Sequence, residues 1–201
     1  MQILRASEGM EAALDILARG GTVIHATETC YGIACDLTNP EAVGKLFRTK
    51  KRPADQPVSA LFSSAEASSA YVEYSPRALS LAEKYLPGPL TLVLPKKGTS
   101  PLHITASGGG NDPLIGVRVS SHPLAAELAR RFGKPIATTS ANLHGAENPY
   151  SLADLRAQFG DAGTHPDLIL DSGTLPPAPP STVVQILGET VTVLRAGNIV
   201  I

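Results

Sequence analysis

The pattern of apolar and polar positions alternates between helical and extended segments along most of the chain. Apolar residues recur at helical spacing in five segments, each opened by a capping residue or closed by glycine. The predicted helices are 10–19, a segment opening at Asn39-Pro40, a segment opening at Ser75-Pro76, 122–133 and 151–160. Short apolar runs between them predict strands at 22–26, 58–62, 90–94, 115–119, 136–139, 167–170, 182–187 and 190–195.

The order of these elements predicts an α/β fold. Strands alternate with helices through most of the chain, and Gly188-Glu189 joins the last two strands as a two-residue hairpin turn. We therefore expect one mixed sheet with helices on its faces. No internal repeat or linker divides the sequence, so residues 1–201 are predicted to form a single domain.

Composition narrows the class of protein. Apolar residues make up 43% and charged residues 17% of the 201 residues, which excludes a disordered or coiled-coil chain. The formal net charge is −1, so no overall basic field indicates a nucleic-acid partner. No apolar run approaches about 18 residues and the N-terminus is polar from the start, so we expect a cytoplasmic protein without a membrane span.

The familiar nucleotide-binding and catalytic motifs are missing from the sequence. It contains no G-x-x-x-x-G-K-[ST], G-x-G-x-x-G, G-x-S-x-G or H-E-x-x-H pattern. Its five histidines are scattered, and Cys30 and Cys35 stand without a second cysteine pair. The sequence therefore predicts no metal ion held by protein ligands.

Three polar segments are the candidates for chemistry. One holds basic residues at a predicted helix end, where the negative end of the helix dipole already favours them and where they could also bind phosphate: Arg48, Lys50, Lys51 and Arg52. The segments 27–32 and 138–142 each follow a predicted strand, and such residues also occur in ordinary turns. If these loops converge on one edge of the sheet, they combine cations with hydroxyl and amide groups. This set suits phosphoryl or nucleotidyl transfer, in which positioning and electrostatics supply most of the catalysis.

One long segment lacks any periodicity. Residues 96–113 include three consecutive glycines, Gly108 to Gly110. A loop of this length in a compact domain is usually a lid or a mobile segment.

Seven blocks in a fixed order resemble the YrdC-type domain, the family of threonylcarbamoyl-AMP synthases. The blocks lie at 20–32, 46–61, 86–95, 115–123, 135–142, 180–184 and 193–197. They include the sequences GGTVIHATETCYG, LFRTKKRPADQPVSAL and PIATTSAN. The resemblance runs from about Leu4 to the end of the chain and corresponds to the short form of the family.

Three positions depart from the family pattern. Ala26 stands where proline usually precedes the first threonine, and Leu86 stands where an aromatic residue often precedes P-G-P-L-T. Lys51 stands where glycine usually separates the two basic residues. None of these changes removes a group that would hold a phosphate.

The resemblance implies a twisted α/β sheet with a concave, positively charged surface, and a particular reaction. Such proteins condense L-threonine, bicarbonate or CO2, and ATP into threonylcarbamoyl-AMP and pyrophosphate. A downstream threonylcarbamoyl-transferase complex then passes the acyl group to an adenosine beside the anticodon of certain tRNAs. Mg2+ is expected to arrive with ATP rather than in a protein cage. The segment 96–113 is expected to cover the adenylate, which water would otherwise hydrolyse.

The resemblance also implies roles for residues of this chain. Lys50 and Arg52 are the predicted catalytic residues, and they are expected to hold the phosphates and the carbamate. Ser140 and Asn142 are expected to bind the nucleotide and the acyl group, and Thr27 to contact the threonine moiety. The remaining predicted contacts, one to a substrate carboxylate and two to the nucleotide, come from Arg118, Ser181 and Arg195.

Two other interpretations remain open from the sequence. A non-catalytic module that binds double-stranded RNA or tRNA would use the same concave face, although the net charge of −1 weighs against it. A paralogue is the second, such as the YrdC-like domain of the hydrogenase-maturation carbamoyl-transfer protein, whose acylphosphatase and zinc-finger segments this chain lacks. Ser140 and Asn142 weigh against paralogues without the S-x-N pair. The sequence fits a monomer or a homodimer, with or without direct tRNA contact.

Overall fold

The computed structural model describes residues 1–53, 56, 58–100, 102, 114–160 and 163–201. Its strands are β1 (Gln2–Arg5), β2 (Val23–Ala26), β3 (Tyr31–Asp36), β4 (Ser59–Leu61), β5 (Leu90–Pro95), β6 (Leu114–Arg118), β7 (Ile136–Ser140), β8 (Leu168–Asp171), β9 (Thr182–Leu187) and β10 (Thr190–Arg195). Its helices are α1 (Met10–Ala18), α2 (Pro40–Thr49), α3 (Ala65–Ser68), α4 (Pro76–Tyr85), α5 (Pro123–Phe132) and α6 (Leu152–Phe159).

The described strands form one mixed sheet. Its order is β1-β8-β2-β3-β7-β4-β6-β5-β9-β10. The pairs β1–β8, β2–β8, β4–β6 and β5–β9 are parallel, and the other neighbours are antiparallel. The predicted α/β fold with a mixed sheet is confirmed.

The helices begin where local sequence predicts. Asn39 Oδ1 accepts hydrogen bonds from the backbone N–H groups of Glu41 and Ala42 at the start of α2. Ser75 caps α4 in the same way, and Ser151 forms a capping box with Asp154 at the start of α6. These caps satisfy amide groups that a helix leaves unpaired at its first turn.

Three elements were not predicted. β1 and β3 had no assignment, and the predicted polar loop 27–32 is wrong at its end because β3 already begins at Tyr31. Every residue of β3 is buried, so its YGIACD sequence shows no alternation of apolar and polar positions. The short helix α3 has a single turn, which is too brief to produce a helical period.

The two faces of the sheet are covered differently. On one face the apolar residues of α2, α4 and α6 pack against alternate strand residues across most of the sheet, for example Leu46, Leu81 and Leu155. On the opposite face a smaller cluster contains Leu17 of α1 and Leu128 of α5. That cluster extends only as far as Leu61 of β4, so none of the described helices covers the rest of this face, across β6, β5 and β9.

Candidate active site

A cavity of about 460 Å³ lies on this uncovered part of the sheet. Two rows of neighbouring residues cross its floor. One row is Thr138, Ser59, Gly116 and Val93, and the next is Leu61, Arg118, Thr91 and Val183. Side chains on a strand alternate between faces, so these residues alternate with the apolar residues of the main core. The volume lies within the range of about 300–1,000 Å³ that is usual for small-molecule sites.

Gly116 keeps the floor of the cavity open. A Cβ atom at this position would lie 2.8 Å from Ser59 Oγ and 3.4 Å from Thr91 Cγ2. The glycine thus leaves room between the hydroxyl-bearing side chains of the neighbouring strands. A ligand can therefore approach the sheet backbone closely at this point.

The loop between β2 and β3 forms one wall and is held by Thr27. Thr27 Oγ1 accepts hydrogen bonds from the backbone N–H groups of Thr29 and Cys30, both at 3.2 Å, and donates to the Cys30 carbonyl oxygen at 2.7 Å. These hydrogen bonds occupy the Thr27 hydroxyl within the loop and give the residue a structural role. The predicted contact of Thr27 with a threonine substrate would be additional to that role. Burial raises the pKa of the Cys30 thiol, which lines the same wall.

The backbone conformation at the end of α2 sets the positions of Lys50 and Arg52. The N–H of Lys51 bonds to the Arg48 carbonyl and the N–H of Arg52 bonds to the Phe47 carbonyl, both at 3.0 Å, which is a Schellman motif. This motif needs a left-handed residue after the helix cap, and Lys51 has φ 50°. The glycine that the family usually carries here has no Cβ to oppose that conformation, so the departure at Lys51 places a side chain in a strained position.

Lys50 does not project into the cavity. Its ammonium donates to the Ser140 carbonyl oxygen, to the Asn142 carbonyl oxygen at 2.7 Å and to Asn142 Oδ1 at 3.2 Å. The residue is 2% exposed. Burial, and secondarily the charge of Arg52, lower the pKa of Lys50 from 10.5 to about 7. Lys50 therefore holds the segment that ends β7.

Asn142 completes this arrangement from the other side. Its Oδ1 accepts a hydrogen bond from Ser140 Oγ at 2.6 Å, and its Nδ2 donates to the carbonyls of Leu143 and Ala146. Ser140 lines the cavity, whereas Lys50 and Asn142 are absent from its lining in the described part of the chain. The S-x-N pair thus places one side chain in the cavity and one behind it.

Arg52 reaches the cavity beside the end of β7. Its Nη1 lies 3.3 Å from Thr139 Oγ1, and its Nε donates to Gln56 Oε1 at 2.7 Å. Its guanidinium also lies 5.9 Å from the ring centre of Phe47, a cation–π contact. These contacts fix the fork of a charged group that suits phosphate oxygens.

Arg118 lies in the floor and pairs with Glu28 of the β2–β3 loop. Its Nη2 is 2.7 Å from Glu28 Oε1, and Glu28 Oε2 accepts a hydrogen bond from Ser120 Oγ. Burial favours a higher pKa for Glu28, but the charge of Arg118 and the Ser120 hydrogen bond outweigh it, so this pKa lies below its ordinary value. The carboxylate is therefore ionised at neutral pH.

Arg195 and Ser181 form the wall near the C-terminus. Arg195 Nη2 donates to the Ser181 carbonyl oxygen and to Ser181 Oγ, both at 2.8 Å. Ser181 Oγ lies 3.1 Å from Thr91 Oγ1 in the floor. Burial, followed by the charge of Arg118, lowers the pKa of Arg195, because the two guanidinium groups face the same space.

The structure brings together six of the eight predicted site residues. They are Thr27, Arg52, Arg118, Ser140, Ser181 and Arg195, and all line the cavity. The polar loops thus converge, but over a face of the sheet and not at its edge as predicted, while the ligand role of each residue stays a prediction. Sequence reasoning included Glu28 in the candidate segment 27–32 without a role of its own, and it missed the floor residues Ser59, Thr91 and Gly116. Thr91 and Gly116 interrupt the apolar runs LTLVL and IGVRV, which was the available signal.

The candidate lid, a metal site and a membrane span can be examined only in the described residues. Most of the candidate lid, residues 101 and 103–113, lies outside the described residues. Among the residues that are described, no cluster of three His, Cys, Asp or Glu side chains is placed to hold a metal ion. None of the helices in the same ranges is long and apolar enough to cross a membrane.

Comparison with known proteins shows which family the chain belongs to. The sequence profile of the Sua5/YciO/YrdC family, described as "Telomere recombination", matches residues 15–197. The chain belongs to this family. The Sua5/YciO/YrdC blocks identified in the sequence therefore correspond to the segments that build the cavity.

Individual relatives agree with this assignment. The chain is 33% identical over 159 residues to the threonylcarbamoyl-AMP synthase of Klebsiella pneumoniae, covering 78% of this chain and 82% of that protein. P. abyssi Sua5, solved in complex with L-threonine, superposes with a TM-score of 0.83 at 30% identity over 98% of this chain. The match spans 56% of the Sua5 chain. E. coli YciO shares the fold, with a TM-score of 0.81 at 24% identity over 94% of this chain and 88% of its own.

Proposed function

We propose that this protein is a threonylcarbamoyl-AMP synthase. It condenses L-threonine, bicarbonate or CO2, and ATP into threonylcarbamoyl-AMP and pyrophosphate. The observation that carries the proposal is a cavity lined by Arg52, Arg118 and Arg195 from three separate segments, with Ser59, Thr91 and Gly116 in its floor. Relatives that are named for this activity are 33% and 32% identical to the chain over 159 and 158 aligned residues.

The chemistry of this reaction requires fixed positive charge. A carbamate formed from the threonine amine and CO2 is a weak oxygen nucleophile, and it must attack the α-phosphorus of ATP. Both reactants are anions, so their approach is opposed unless cations lie beside them. Guanidinium groups held by hydrogen bonds before the substrate binds stabilise the developing charge without reorganisation.

The geometry supports a division of roles among the cavity residues. Arg52, beside Thr139 and Ser140, suits the phosphates of ATP, and Arg195 with Ser181 suits another part of the nucleotide. Arg118 suits the carboxylate of the amino acid. Lys50 supports this site from behind, through the Ser140–Asn142 segment, instead of binding phosphate itself.

Mg2+ fits this proposal as a companion of ATP. The cavity offers guanidinium and hydroxyl groups, which bind phosphate oxygens rather than a cation. When bound to the triphosphate, Mg2+ would neutralise part of its charge. Threonylcarbamoyl-AMP would then pass to a downstream threonylcarbamoyl-transferase complex that modifies tRNA, which places the activity in the cytoplasm.

A pyrophosphate-release assay tests the proposal. The protein is incubated with ATP, Mg2+ and bicarbonate, together with L-threonine, L-serine or no amino acid. We expect pyrophosphate with L-threonine and only background release when bicarbonate or amino acid is omitted. Absence of turnover together with RNA binding that falls steeply with salt would instead support the non-catalytic module.

A further inference from the structure

His25 is a buried, titratable side chain that has none of the roles proposed above. It lies on β2, is 0% exposed, and its Nδ1 is 3.1 Å from the Ala26 carbonyl oxygen. A carbonyl oxygen can only accept a hydrogen bond, so this contact places the ring proton on Nδ1. Burial lowers the pKa of His25 from 6.5 to about 4, so the imidazole is neutral at pH 7. Its Nε2 is therefore a hydrogen-bond acceptor.

This acceptor lacks a donor within the described part of the chain. His25 Nε2 is buried and makes no hydrogen bond to any described residue. Buried polar atoms nearly always have a partner, and leaving one unpaired is costly. An acceptor that the fold keeps buried and unpaired therefore indicates a donor supplied by a ligand.

His25 Nε2 lies behind Gly32, which lines the cavity. The two residues are directly opposite in the β2–β3 pair, so they share a face of the sheet. A Cβ atom on Gly32 would lie 3.8 Å from His25 Nε2. It would also lie 3.4 Å from Thr27 Cγ2 and from the Thr139 carbonyl oxygen. These are ordinary van der Waals distances, so the glycine leaves room for one small group of a ligand; we name this space the Gly32 niche.

The Gly32 niche presents an acceptor on one side and a methyl group on the other. His25 supplies the acceptor. Thr27 supplies the methyl group, because hydrogen bonds with Thr29 and Cys30 already occupy its hydroxyl. L-threonine carries a hydroxyl and a methyl group on its β-carbon, whereas L-valine has two methyl groups and L-serine has none. The niche therefore complements the side chain of L-threonine.

A group suited to the carboxylate of an amino acid lies beside the same loop. Thr29 Oγ1 is 3.0 Å from Thr27 Oγ1 and 3.5 Å from Arg118 Nη2. Arg118 Nε is a buried donor that makes no hydrogen bond to a described residue. The β2–β3 loop thus has an unpaired acceptor and an unpaired cationic donor beside it. An amino acid with a side-chain hydroxyl can pair with both.

Resting on the function proposed above, we propose that His25 is a specificity-determining residue, whose Nε2 accepts a hydrogen bond from the side-chain hydroxyl of L-threonine bound in the Gly32 niche. A site with such an acceptor rejects an analogue that lacks the hydroxyl, because the acceptor then stays buried and unpaired. His25 thus discriminates against L-valine, which has the shape of L-threonine.

The test compares His25→Leu and His25→Gln with the wild type. Leucine removes the acceptor, and glutamine retains an acceptor oxygen on a side chain of similar reach. The matched control is His165→Leu, which makes the same change at an exposed position. Pyrophosphate release gives kcat/KM for L-threonine and for L-valine and the KM for ATP. Calorimetry gives the affinities of both amino acids, and thermal unfolding verifies the fold of each variant.

We expect the wild type and His165→Leu to prefer L-threonine to L-valine. In His25→Leu the ratio of the two kcat/KM values is expected to fall at least tenfold with an unchanged KM for ATP, and His25→Gln is expected to keep more of the preference. An unchanged ratio in His25→Leu, or an equal loss in both variants, would overturn the role of His25.

Gly32→Ala tests the niche separately and decides the inference if His25→Leu does not fold. Its Cβ atom meets no atom of a residue beyond its chain neighbours closer than 3.4 Å, so the variant is expected to fold. We expect the KM for L-threonine to rise at least tenfold, with a smaller change for ATP, and equal changes would contradict the niche.

The calorimetric affinities separate this inference from the proposed function. If the wild type shows no turnover with any amino acid, the synthase activity fails and the affinities still test His25. Selective loss of L-threonine affinity in His25→Leu supports its role, and an affinity ratio equal to that of the wild type contradicts it.

Discussion

The ammonium of Lys50 lies 2.7 Å from the backbone carbonyl oxygen of Asn142 and 3.2 Å from the side-chain Oδ1 of the same residue. These residues are far apart in sequence and were each predicted to contact substrate. In the structure they contact each other. Of Lys50, Ser140 and Asn142, Ser140 is the one whose side chain lines the cavity in the described part of the chain.

Replacement of Lys50 tests whether the residue acts through this contact. In Lys50→Met the Ser140 and Asn142 oxygens lose their shared donor, so the segment is no longer held at the cavity wall. We expect pyrophosphate release to fall at least 100-fold, with a change of at most about 2 kcal/mol in the free energy of unfolding, because a buried charge is also removed. Arg48→Met, on the exposed side of α2, serves as the control. Turnover close to wild type in Lys50→Met would contradict the role.

The lowered pKa of Lys50 predicts how stability depends on pH. Between about pH 7 and 10.5 the folded protein has released this proton while the unfolded chain still binds it. Stability contributed by Lys50 therefore rises with pH across this window, and the penalty for burying the ammonium is complete below pH 7. Urea unfolding at pH 6, 7.5 and 9 is expected to show the wild type gaining stability relative to Lys50→Met. Parallel curves for the two proteins would show that Lys50 titrates normally.

Arg52→Ala tests the phosphate end of the cavity. Its guanidinium lies beside Thr139 and the cavity-lining Ser140, so its loss removes a fixed cation from the site. We expect turnover to fall by about 100-fold or more, as is usual when one stabilising donor is lost from a reacting centre. The exposed Arg48, in the last turn of α2, provides a matched Arg48→Ala control with normal turnover. If both variants lose activity equally, the effect belongs to overall charge.

The S-x-N pair predicts two different phenotypes. Ser140→Ala removes a cavity hydroxyl, so we expect weaker turnover with little loss of stability. Asn142→Ala removes the acceptor for Lys50 and Ser140 and two donors to backbone carbonyls, so the free energy of unfolding is expected to fall by about 1–3 kcal/mol. Urea unfolding and pyrophosphate release separate the two effects. Equal destabilisation by both variants would show that Ser140 is as structural as Asn142.

Lys51 offers a prediction about stability alone. Its backbone has φ 50°, a conformation that opposes a Cβ atom, and its side chain is exposed. We expect Lys51→Gly to raise the free energy of unfolding by about 0.5–1 kcal/mol, because the relief of strain exceeds the entropic cost of glycine. Lys51→Ala keeps the Cβ atom and controls for loss of the charge. A gain of the same size in Lys51→Ala would assign the effect to charge instead.

Local sequence was a good guide wherever structure depends on neighbouring residues. The caps at Asn39, Ser75 and Ser151 and the hairpin at Gly188-Glu189 were all predicted, because each depends on hydrogen bonds or dihedral angles within a few residues. β1 was not predicted, because a four-residue edge strand gains its stability by pairing with β8, far along the chain.

The sequence by itself determined the α/β order of elements, the places where helices begin and the identity of the residues able to carry positive charge. Only the tertiary structure decided which of them share a cavity. Arg118 and Arg195 reach it because strand pairing brings β6, β5, β9 and β10 side by side, and Lys50 is withdrawn from it because burial is set by the packing of α2 against the sheet. Strand pairing and side-chain burial depend on residues that are distant along the chain, so local sequence patterns do not predict them.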